Sequence, residues 1–150
     1  MNQPAAKPAP QPRSAFAAFV PITTRWMDND IYGHVNNVVY LSFFDTAVNQ
    51  YLIGQGALDI HASPVIGLVV HNACNYFAPL EFPGMVEAGI RVASVGTSSV
   101  TYEIGLFAGQ GADSAAFGRF IHVYVDRATR RPRPLPEALR RAVERLVVAA

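Results

Sequence analysis

The chain has 150 residues, of which 51% are hydrophobic and 15% are charged, and its formal net charge is +1. This length corresponds to one domain, and so large an apolar share excludes a chain that is disordered over most of its length. The single cysteine, Cys74, excludes an intramolecular disulfide framework and a zinc site built from cysteines. No apolar run approaches the ~18 residues of a membrane span, and residues 15–20 are too short for a signal-peptide core, so we expect a cytoplasmic protein without a membrane partner.

The first segment of the chain is rich in proline. Residues 1–13 contain four prolines and no apolar periodicity, which predicts a disordered N-terminal tail. A single domain is expected over residues 14–150. Residues 16–24 have the composition of a strand, and Pro21 places this strand near a sheet edge or a bulge.

The longest predicted element is a helix over residues 36–53. Asn36 is a favourable N-cap residue, and Gly54 and Gly56 supply the stop. The apolar residues run almost all the way round this helix, and one narrow polar stripe interrupts them, formed by Ser42, Asp45, Thr46 and Asn49. A helix of this kind is expected to be buried on most sides.

Strand patterns follow the helix, at residues 67–76, 85–95, 98–108 and 114–126. Pro136 then opens a short C-terminal helix. Consecutive strands joined by short turns form an antiparallel sheet, which has to curve around the buried helix. Because a single sheet of this kind leaves an edge and a face uncovered, we expect the chain to pair with a second copy of itself.

The densest polar cluster, residues 25–37, joins the first strand to the helix and holds two acids, one histidine and three asparagines. A helix N-terminus offers free backbone N–H groups and a positive dipole end, which can hold a carbonyl oxygen that gains negative charge. A carboxylate a few residues upstream can activate water or attack the carbonyl. The cluster therefore fits acyl transfer without a serine or cysteine nucleophile, and it also fits an ordinary loop that ends in an N-cap.

Residues 25–45, R-W-M-D-N-D-I-Y-G-H-V-N-N-V-V-Y-L-S-F-F-D, resemble the signature of the 4-hydroxybenzoyl-CoA thioesterase-like branch of the hotdog-fold thioesterases. Residues 72–80 (NACNYFAPL), 96–102 (GTSSVTY) and 123–136 (VYVDRATRRPRPLP) are similar to the same family, and the likeness covers about residues 16–147. The resemblance implies the α+β hotdog fold, in which a curved five-stranded antiparallel sheet wraps around one long central helix and a short C-terminal helix follows. It also implies dimers or tetramers with active sites at the dimer interface.

The activity that the resemblance implies is that of an acyl-CoA thioesterase, which converts water and an acyl-CoA into a carboxylic acid and free coenzyme A. Asp30 aligns with the family's catalytic acid and is expected to act as general base or nucleophile. Asn37 aligns with the residue whose backbone N–H polarises the thioester carbonyl, and Asn36 would cap and orient that turn. His34 is expected to hydrogen-bond the substrate or to hold the loop. Asp45 aligns with an acid common in the family, is expected to be buried, and is the third catalytic candidate after Asp30 and Asn37.

An arginine group follows the last predicted strand, at Arg127, Arg130, Arg131 and Arg133. Guanidinium groups match phosphate geometry, so this group is expected to anchor the coenzyme A phosphates, and the open alternative is a solvated arginine-rich surface. No resident cofactor is expected, because coenzyme A is part of the substrate, and no metal-site pattern is present. No nucleic-acid partner is expected either, since the chain has neither a basic face with interleaved aromatic residues nor a reader motif.

Other residues with reactive side chains are interpreted as structural. His71 and His122 lie in predicted strands and are expected to be hydrogen-bonded packing residues. Cys74 is expected to be an inert buried thiol, because it falls in phase with apolar residues of its strand. Asp28 is expected to orient its loop. Phe43, Phe44 and Tyr76 are expected to belong to the core, and the open alternative is that some of them line the acyl pocket.

Other functions stay open at the level of the sequence. A hotdog hydratase or dehydratase would act on enoyl or hydroxyacyl thioesters. A thioesterase for acyl carrier protein esters and a non-catalytic acyl-CoA-binding protein are the further alternatives. The sequence does not define the acyl group, because one chain does not define the shape of a pocket that two subunits build.

Overall fold

The computed structural model describes residues 4–148. Its strands and α-helices are, in chain order, β1 (Ala18–Thr23), α1 (Asn37–Gly54), β2 (Val65–Tyr76), β3 (Met85–Val95), β4 (Ser99–Ala108), β5 (Ala116–Asp126) and α2 (Glu137–Glu144). This order is the predicted one. The predicted ends differ from the observed ones by one or two residues at several elements, as expected where ends fray.

The strands form one antiparallel sheet in the order β1-β3-β4-β5-β2. Strands β3, β4 and β5 are neighbours through short connections, whereas the chain crosses from β1 through α1 to β2 at the opposite edge. Helix α1 packs on one face of this sheet and α2 closes one end of the same hydrophobic core. The predicted α+β hotdog architecture is therefore confirmed.

Helix α1 is held by its cap and by packing. The side-chain oxygen of Asn36 accepts the N–H of Val38 at 3.0 Å, which satisfies one of the free donors of the first turn. The ring of Phe44 lies against Gly118 of β5, where a Cβ would come within 2.6 Å of the ring. The side chains that α1 buries in the core are Tyr40, Phe43, Phe44, Ala47, Val48 and Leu52.

The prediction that α1 is buried on most sides is wrong for a single chain. The sheet covers only one side of the helix, so the polar stripe residues Ser42, Asp45 and Thr46 are exposed, and Val38 is 67% exposed. Edge strand β2 is open as well, since Val70 is 59% exposed. Apolar patches of this kind are typical of surfaces that another protein surface covers.

A β-bulge after Val69 changes the alternation of β2. Cys74 lies opposite Gly118 on the helix side of the sheet, whereas Leu68 lies opposite Val123 on the other side. The expectation that Cys74 shares a buried face with Leu68 is therefore wrong, and Cys74 is half-buried.

The predicted disordered tail, residues 1–13, extends further along the chain than the N-terminal segment that lacks contacts with the domain. Residues 1–3 lie outside the described residues, and residues 4–10 are exposed without regular secondary structure. Residues 11–13 are tied to the β4–β5 connection: the Gln11 N–H donates to Ser114 Oγ at 2.9 Å, and Arg13 Nε donates to the Gly111 carbonyl at 2.8 Å. Phe16 then packs on the outer face of the sheet, where it is buried.

Candidate active site

The loop between β1 and α1 is fixed by the connection between β2 and β3. The N–H of Val35 donates to the Leu80 carbonyl at 2.8 Å. The side chain of Asn29 accepts the N–H of Phe82 at 3.0 Å and donates to the carbonyl of the same residue at 3.2 Å. A polar loop that is pinned at both ends in this way can hold catalytic groups in a defined place.

The two acids of this loop have different surroundings. Asp28 is 1% exposed, and its carboxylate accepts the N–H of Arg25 at 2.7 Å and two guanidinium donors of the same residue at 2.9 and 3.1 Å. Both oxygens of Asp28 are therefore used inside the loop, and the expectation that Asp28 orients the loop is confirmed.

Asp30 is half-buried in a tight turn. Its N–H donates to the His34 carbonyl at 2.8 Å, and its Oδ1 accepts the N–H of Tyr32 at 2.8 Å. Its other oxygen, Oδ2, has no hydrogen-bond donor within residues 4–148, so it is open to water or substrate. The carboxylate lies at a cleft of about 290 Å³, which Trp26 and Ile31 also line.

The start of α1 presents a free donor near this turn. Asn37 is the first residue of the helix, and its N–H meets no acceptor within the described part of the chain. The positive end of the helix dipole lies at the same place, which favours a negatively charged oxygen. The structure therefore brings Asp30, His34, Asn36 and Asn37 into one turn and helix start. The imidazole of His34 is exposed, and only its backbone carbonyl holds the turn.

Two tyrosines beside the helix start were not predicted as site residues. The Tyr76 hydroxyl donates to the Asn37 carbonyl at 2.9 Å, and the rings of Tyr76 and Tyr40 lie 4.8 Å apart. Tyr76 is 47% exposed, so its predicted place in the core is wrong for a single chain. Burial raises the pKa of Tyr40, and the hydrogen bond between its hydroxyl and the Leu80 backbone offsets part of this rise.

The alternation of side chains along β2 is the sequence signal that could have placed Tyr76 beside the helix start, but the bulge after Val69 interrupts that alternation.

Burial raises the pKa of the Cys74 thiol to about 11, so this thiol is protonated at neutral pH. A protonated thiol is a poor nucleophile, which agrees with the prediction that Cys74 is inert.

A group of large apolar side chains surrounds the Asp30 turn and was not recognised from the sequence. Ile31 is 93% exposed and Trp26 is 84% exposed, and Met27 and Tyr32 are exposed beside them. Exposed apolar groups at this density mark a contact surface rather than an ordinary loop.

Asp45 lies apart from this turn. It is exposed on α1, and Asn49 Nδ2 donates to its Oδ1 at 2.9 Å. The prediction of a buried acid is therefore wrong for a single chain, because the sheet does not cover this side of the helix. Asp45 follows Asn37 by two helical turns, or about 12 Å at ~1.5 Å per residue, so one chain does not bring the two together.

The predicted arginine group divides into two parts. Arg127 donates through Nε to the Ser63 carbonyl at 2.7 Å and through Nη2 to the Ile60 carbonyl at 3.0 Å. Its guanidinium therefore fixes the loop before β2, and the expectation that it anchors a phosphate loses its support, because these donors are already used.

The other three arginines lie on the turn after β5 and beyond it. Arg133 forms an ion pair with Asp126 at 3.3 Å. Arg130 and Arg131 are exposed and form no ion pair with any residue between 4 and 148. The backbone of Arg130 has a φ of 62°, which the hydrogen bonds of the turn hold in place.

The two strand histidines differ from each other. His71 is exposed, so its predicted packing role is wrong for a single chain. His122 is buried and its Nδ1 lies 3.2 Å from the Tyr124 hydroxyl, as expected of a packing residue. Burial lowers the pKa of His122 to about 4, so its imidazole is neutral at pH 7.

Two structural features are absent from residues 4–148, a metal-binding cluster and a membrane-spanning helix. These residues contain no group of three or more His, Cys, Asp or Glu side chains placed to hold a metal ion. Within the same range, no helix is both long and apolar enough to cross a membrane.

Known protein families and solved structures show what this chain is similar to. The sequence pattern of the thioesterase-like superfamily matches residues 24–143. Among solved structures, the PA5185 protein of Pseudomonas aeruginosa is 53% identical with a TM-score of 0.92, and the match covers 95% of this chain and 99% of that one. A thioesterase from Thermus thermophilus, solved with coenzyme A and Zn, is 31% identical with a TM-score of 0.71, over 87% of this chain and 95% of that one.

A more distant structure shares the fold. The 1,4-dihydroxy-2-naphthoyl-CoA thioesterase Slr0204 from Synechocystis is 18% identical with a TM-score of 0.74, over 83% of this chain and 93% of that one. None of the curated proteins matches the chain in sequence. The superfamily match includes the Asp30 turn, α1 and strands β2 to β5. The chain belongs to the thioesterase-like superfamily, and the predicted class of enzyme, a thioester hydrolase, is confirmed.

Proposed function

We propose that the protein is an acyl-CoA thioesterase, which hydrolyses an acyl-CoA to a carboxylic acid and free coenzyme A. The observation that carries this proposal is the half-buried carboxylate of Asp30, with one open oxygen, in the turn that leads to the free N–H of Asn37. The Thermus thermophilus relative with bound coenzyme A supports coenzyme A as the thiol part of the substrate.

The reaction needs a base and a donor, and the turn offers both. Asp30 takes a proton from water as the water oxygen attacks the thioester carbonyl, or attacks that carbon itself. The carbonyl oxygen gains negative charge and accepts the N–H of Asn37 at the positive end of α1. In the first route the C–S bond then breaks, and the coenzyme A sulfur leaves with the proton that Asp30 took from water. In the second route the sulfur leaves as a thiolate, and water then hydrolyses the anhydride between Asp30 and the acyl group, which frees the acid and Asp30 and supplies the proton of the thiol. Asn36 keeps the first turn of the helix in place, and Tyr76 holds the Asn37 carbonyl.

A second copy of the chain completes the site in this proposal. Strand β2 is an edge strand, and its open backbone groups and exposed apolar side chains would pair with the β2 of another protomer. In an antiparallel pair, the Tyr76 end of one β2 lies beside the Val65 end of the other. Because Tyr76 contacts Asn37, the helix start of one protomer would then border its partner. Exposed Asp45 would be covered by the same association.

The phosphates of coenzyme A would bind at the exposed arginines. Arg130 and Arg131 lie on the turn after β5 and carry positive charge that no ion pair within the described residues uses. Arg133 would contribute if its ion pair with Asp126 opened. Planar guanidinium groups bind phosphate oxygens in a bidentate manner, which suits this role.

The decisive test is Asp30→Asn in a thiol-release assay over a panel of aryl- and alkyl-CoA esters. We expect turnover to fall by about 10²–10⁴-fold, the usual contribution of a general base. The matched control is Asp59→Asn, since Asp59 also accepts backbone N–H groups in an exposed turn, from His61 at 2.9 Å and Ala62 at 3.1 Å. The control should keep full activity.

Folding of both variants is checked by circular dichroism before the rates are compared. A fall of less than about tenfold in a folded Asp30→Asn protein would contradict the proposal. Hydration of an enoyl-CoA ester without thiol release would instead identify a hydratase. Binding of acyl-CoA esters without turnover that depends on Asp30 would identify a binding protein.

A further inference from the structure

The peptide unit between Asn37 and Val38, in the first turn of α1, is held at both of its polar atoms. Its N–H, which belongs to Val38, donates to the side-chain oxygen of Asn36 at 3.0 Å. Its carbonyl, which belongs to Asn37, accepts the hydroxyl of Tyr76 at 2.9 Å. The first contact comes from the helix cap itself, whereas Tyr76 is the last residue of β2, 39 residues further along the chain. The hydroxyl of Tyr76 therefore connects the start of α1 to the sheet.

This connection lies next to the free N–H of Asn37. That N–H and the carbonyl that Tyr76 holds are on either side of one α-carbon, so only the φ and ψ angles of Asn37 separate them. The first turn of a helix frays easily, because its N–H groups have no partners within the helix. A carbonyl oxygen has two lone pairs and can accept Tyr76 together with the N–H four residues further on. Tyr76 therefore restrains the direction of the Asn37 N–H without competing with the helix.

The ring of Tyr76 is itself held by a residue of α1. It lies edge-on to the ring of Tyr40, with the ring centroids 4.8 Å apart and an angle of 61° between the planes. Tyr40 is 3% exposed, and its hydroxyl accepts the N–H of Leu80 at 3.1 Å. The carbonyl of Leu80 accepts the N–H of Val35, which follows the Asp30 turn, at 2.8 Å. The two tyrosines therefore connect the helix start with the segment that also holds the acid.

Tyr76 can restrain the helix start only as a protonated hydroxyl. Burial raises the pKa of Tyr76 to about 12, so the hydroxyl carries its proton at neutral pH and donates it. A tyrosine has one hydroxyl proton, and the Asn37 carbonyl uses it. Tyr76 therefore acts through Asn37 and not as a second donor to a substrate.

We propose that Tyr76 is a positioning residue for thioester hydrolysis, whose hydroxyl holds the first turn of α1 so that the Asn37 N–H points at the thioester oxygen as this oxygen gains negative charge. This inference rests on the proposed thioesterase function. Donors that stabilise such an oxygen act at hydrogen-bond distance, and a misplacement of about 1 Å can lower a rate ~10²-fold. Tyr76 therefore contributes to the chemical step and not to the binding of coenzyme A.

The test is Tyr76→Phe, which keeps the ring and removes only the hydroxyl. The matched control is Tyr51→Phe, because the Tyr51 hydroxyl also donates to a helix carbonyl, that of Ala142 in α2, at 2.7 Å. Both variants lose one hydrogen bond of the same kind, so their thermal unfolding should be similar. In Tyr76→Phe alone, we expect kcat for thiol release to fall about tenfold with KM unchanged, which is less than the ~10²–10³-fold cost of removing an oxyanion donor outright.

Two unreactive ligands separate positioning from a general loss of structure. In the first, a methylene group replaces the thioester sulfur of an acyl-CoA, which keeps the carbonyl; the second is an alkyl-CoA thioether of the same length, which lacks it. Titration calorimetry measures both on one sample, so unfolded molecules change the number of sites and not the ratio of the two affinities. In Tyr76→Phe the preference for the carbonyl ligand should fall by about 2- to 10-fold, the effect of one hydrogen bond, and in Tyr51→Phe it should stay unchanged.

Equal kcat values in the two variants, or an unchanged preference for the carbonyl ligand in Tyr76→Phe, would overturn the inference. A rise in KM that accompanies the fall in kcat would overturn it as well, because the hydroxyl would then act on binding. Thiol release that depends on Asp30 but not on Tyr76 rejects this inference alone. Absence of Asp30-dependent release from every ester rejects the proposed function and this inference with it.

Discussion

At the scale of single residues, the surroundings of a side chain decide its role more than its type does. Asp28 and Asp30 are two positions apart in one loop. Three donors of Arg25 occupy the carboxylate of Asp28, whereas Asp30 keeps one oxygen open at a cleft. Only Asp30 can accept a proton from water without breaking the loop that holds it.

The buried imidazole of His122 makes a prediction about stability and pH. Burial lowers its pKa to about 4 from the usual 6.5. The unfolded chain therefore binds a proton at His122 below pH 6.5 that the folded chain does not bind until about pH 4. This contribution to stability is complete above pH 6.5 and is lost as the pH falls, by about 2 kcal/mol at pH 5.

Urea unfolding at pH 7 and at pH 5 measures this loss. In His122→Phe the difference between the two pH values should shrink by about the same 2 kcal/mol, while His61→Phe should behave like the wild type. An equal fall in stability for wild type and His122→Phe would show that other groups cause the pH dependence.

At the scale of elements, the position of α1 depends on the place where it meets β5. Gly118 allows the ring of Phe44 and the backbone of the neighbouring strand to approach closely, because a Cβ there would overlap the Ala73 carbonyl. The same contact positions the helix start at the Asp30 turn, since α1 is one continuous element from Asn37 to Gly54. Packing at the middle of the helix therefore supports the chemistry at its end.

Gly118→Ala should destabilise the fold by about 1–3 kcal/mol, the usual cost of overpacking, and should reduce thiol release because the helix start shifts. Gly54→Ala is the matched control: its Cβ would meet no atom within 4 Å, and it ends the same helix without a positive φ. The control should be neutral or slightly stabilising. Thermal unfolding and the thioesterase assay measure both effects, and equal stability of the two variants would refute this account of the packing.

At the scale of the whole molecule, a single protomer leaves several apolar surfaces uncovered. The exposed side of α1, the edge strand β2 and the apolar residues around the Asp30 turn all lack cover within residues 4–148. An edge strand with exposed Leu68, Val69 and Val70 is a template for pairing with another strand. One association through β2, as proposed, would cover the strand and border the Asp30 turn together.

Val70→Lys should therefore shift the protein from dimer to monomer and lower thiol release with it, because a charge on an edge strand opposes pairing. Ile60→Lys is the control, since Ile60 is about equally exposed, at 58%, but lies in the loop before β2. Analytical ultracentrifugation measures the mass of each variant. A Val70→Lys protein that stays dimeric and fully active would place the interface elsewhere.

Much of the fold could be predicted from the sequence, because its signals are local. The N-cap Asn36, the glycines after α1 and the alternation in β4 each act over a few residues, and so the element order and helix start are correct. Asp30 and Asn37 were selected by a motif within one short segment. The bulge after Val69 could not be read, because it depends on pairing with β5, and the exposure of Cys74, Tyr76 and Asp45 was misjudged as a result of such distant contacts.

The sequence by itself therefore determined the family, the order of the elements and the turn that carries the candidate catalytic acid. Only the tertiary structure decided that Arg127 is used to hold a loop, that one oxygen of Asp30 is open, and that His122 is buried with an unpaired nitrogen. The physical reason is that burial and hydrogen-bond partners come from residues far apart in the chain. A local pattern shows which face of an element is apolar, but not which atoms the folded neighbours leave unpaired.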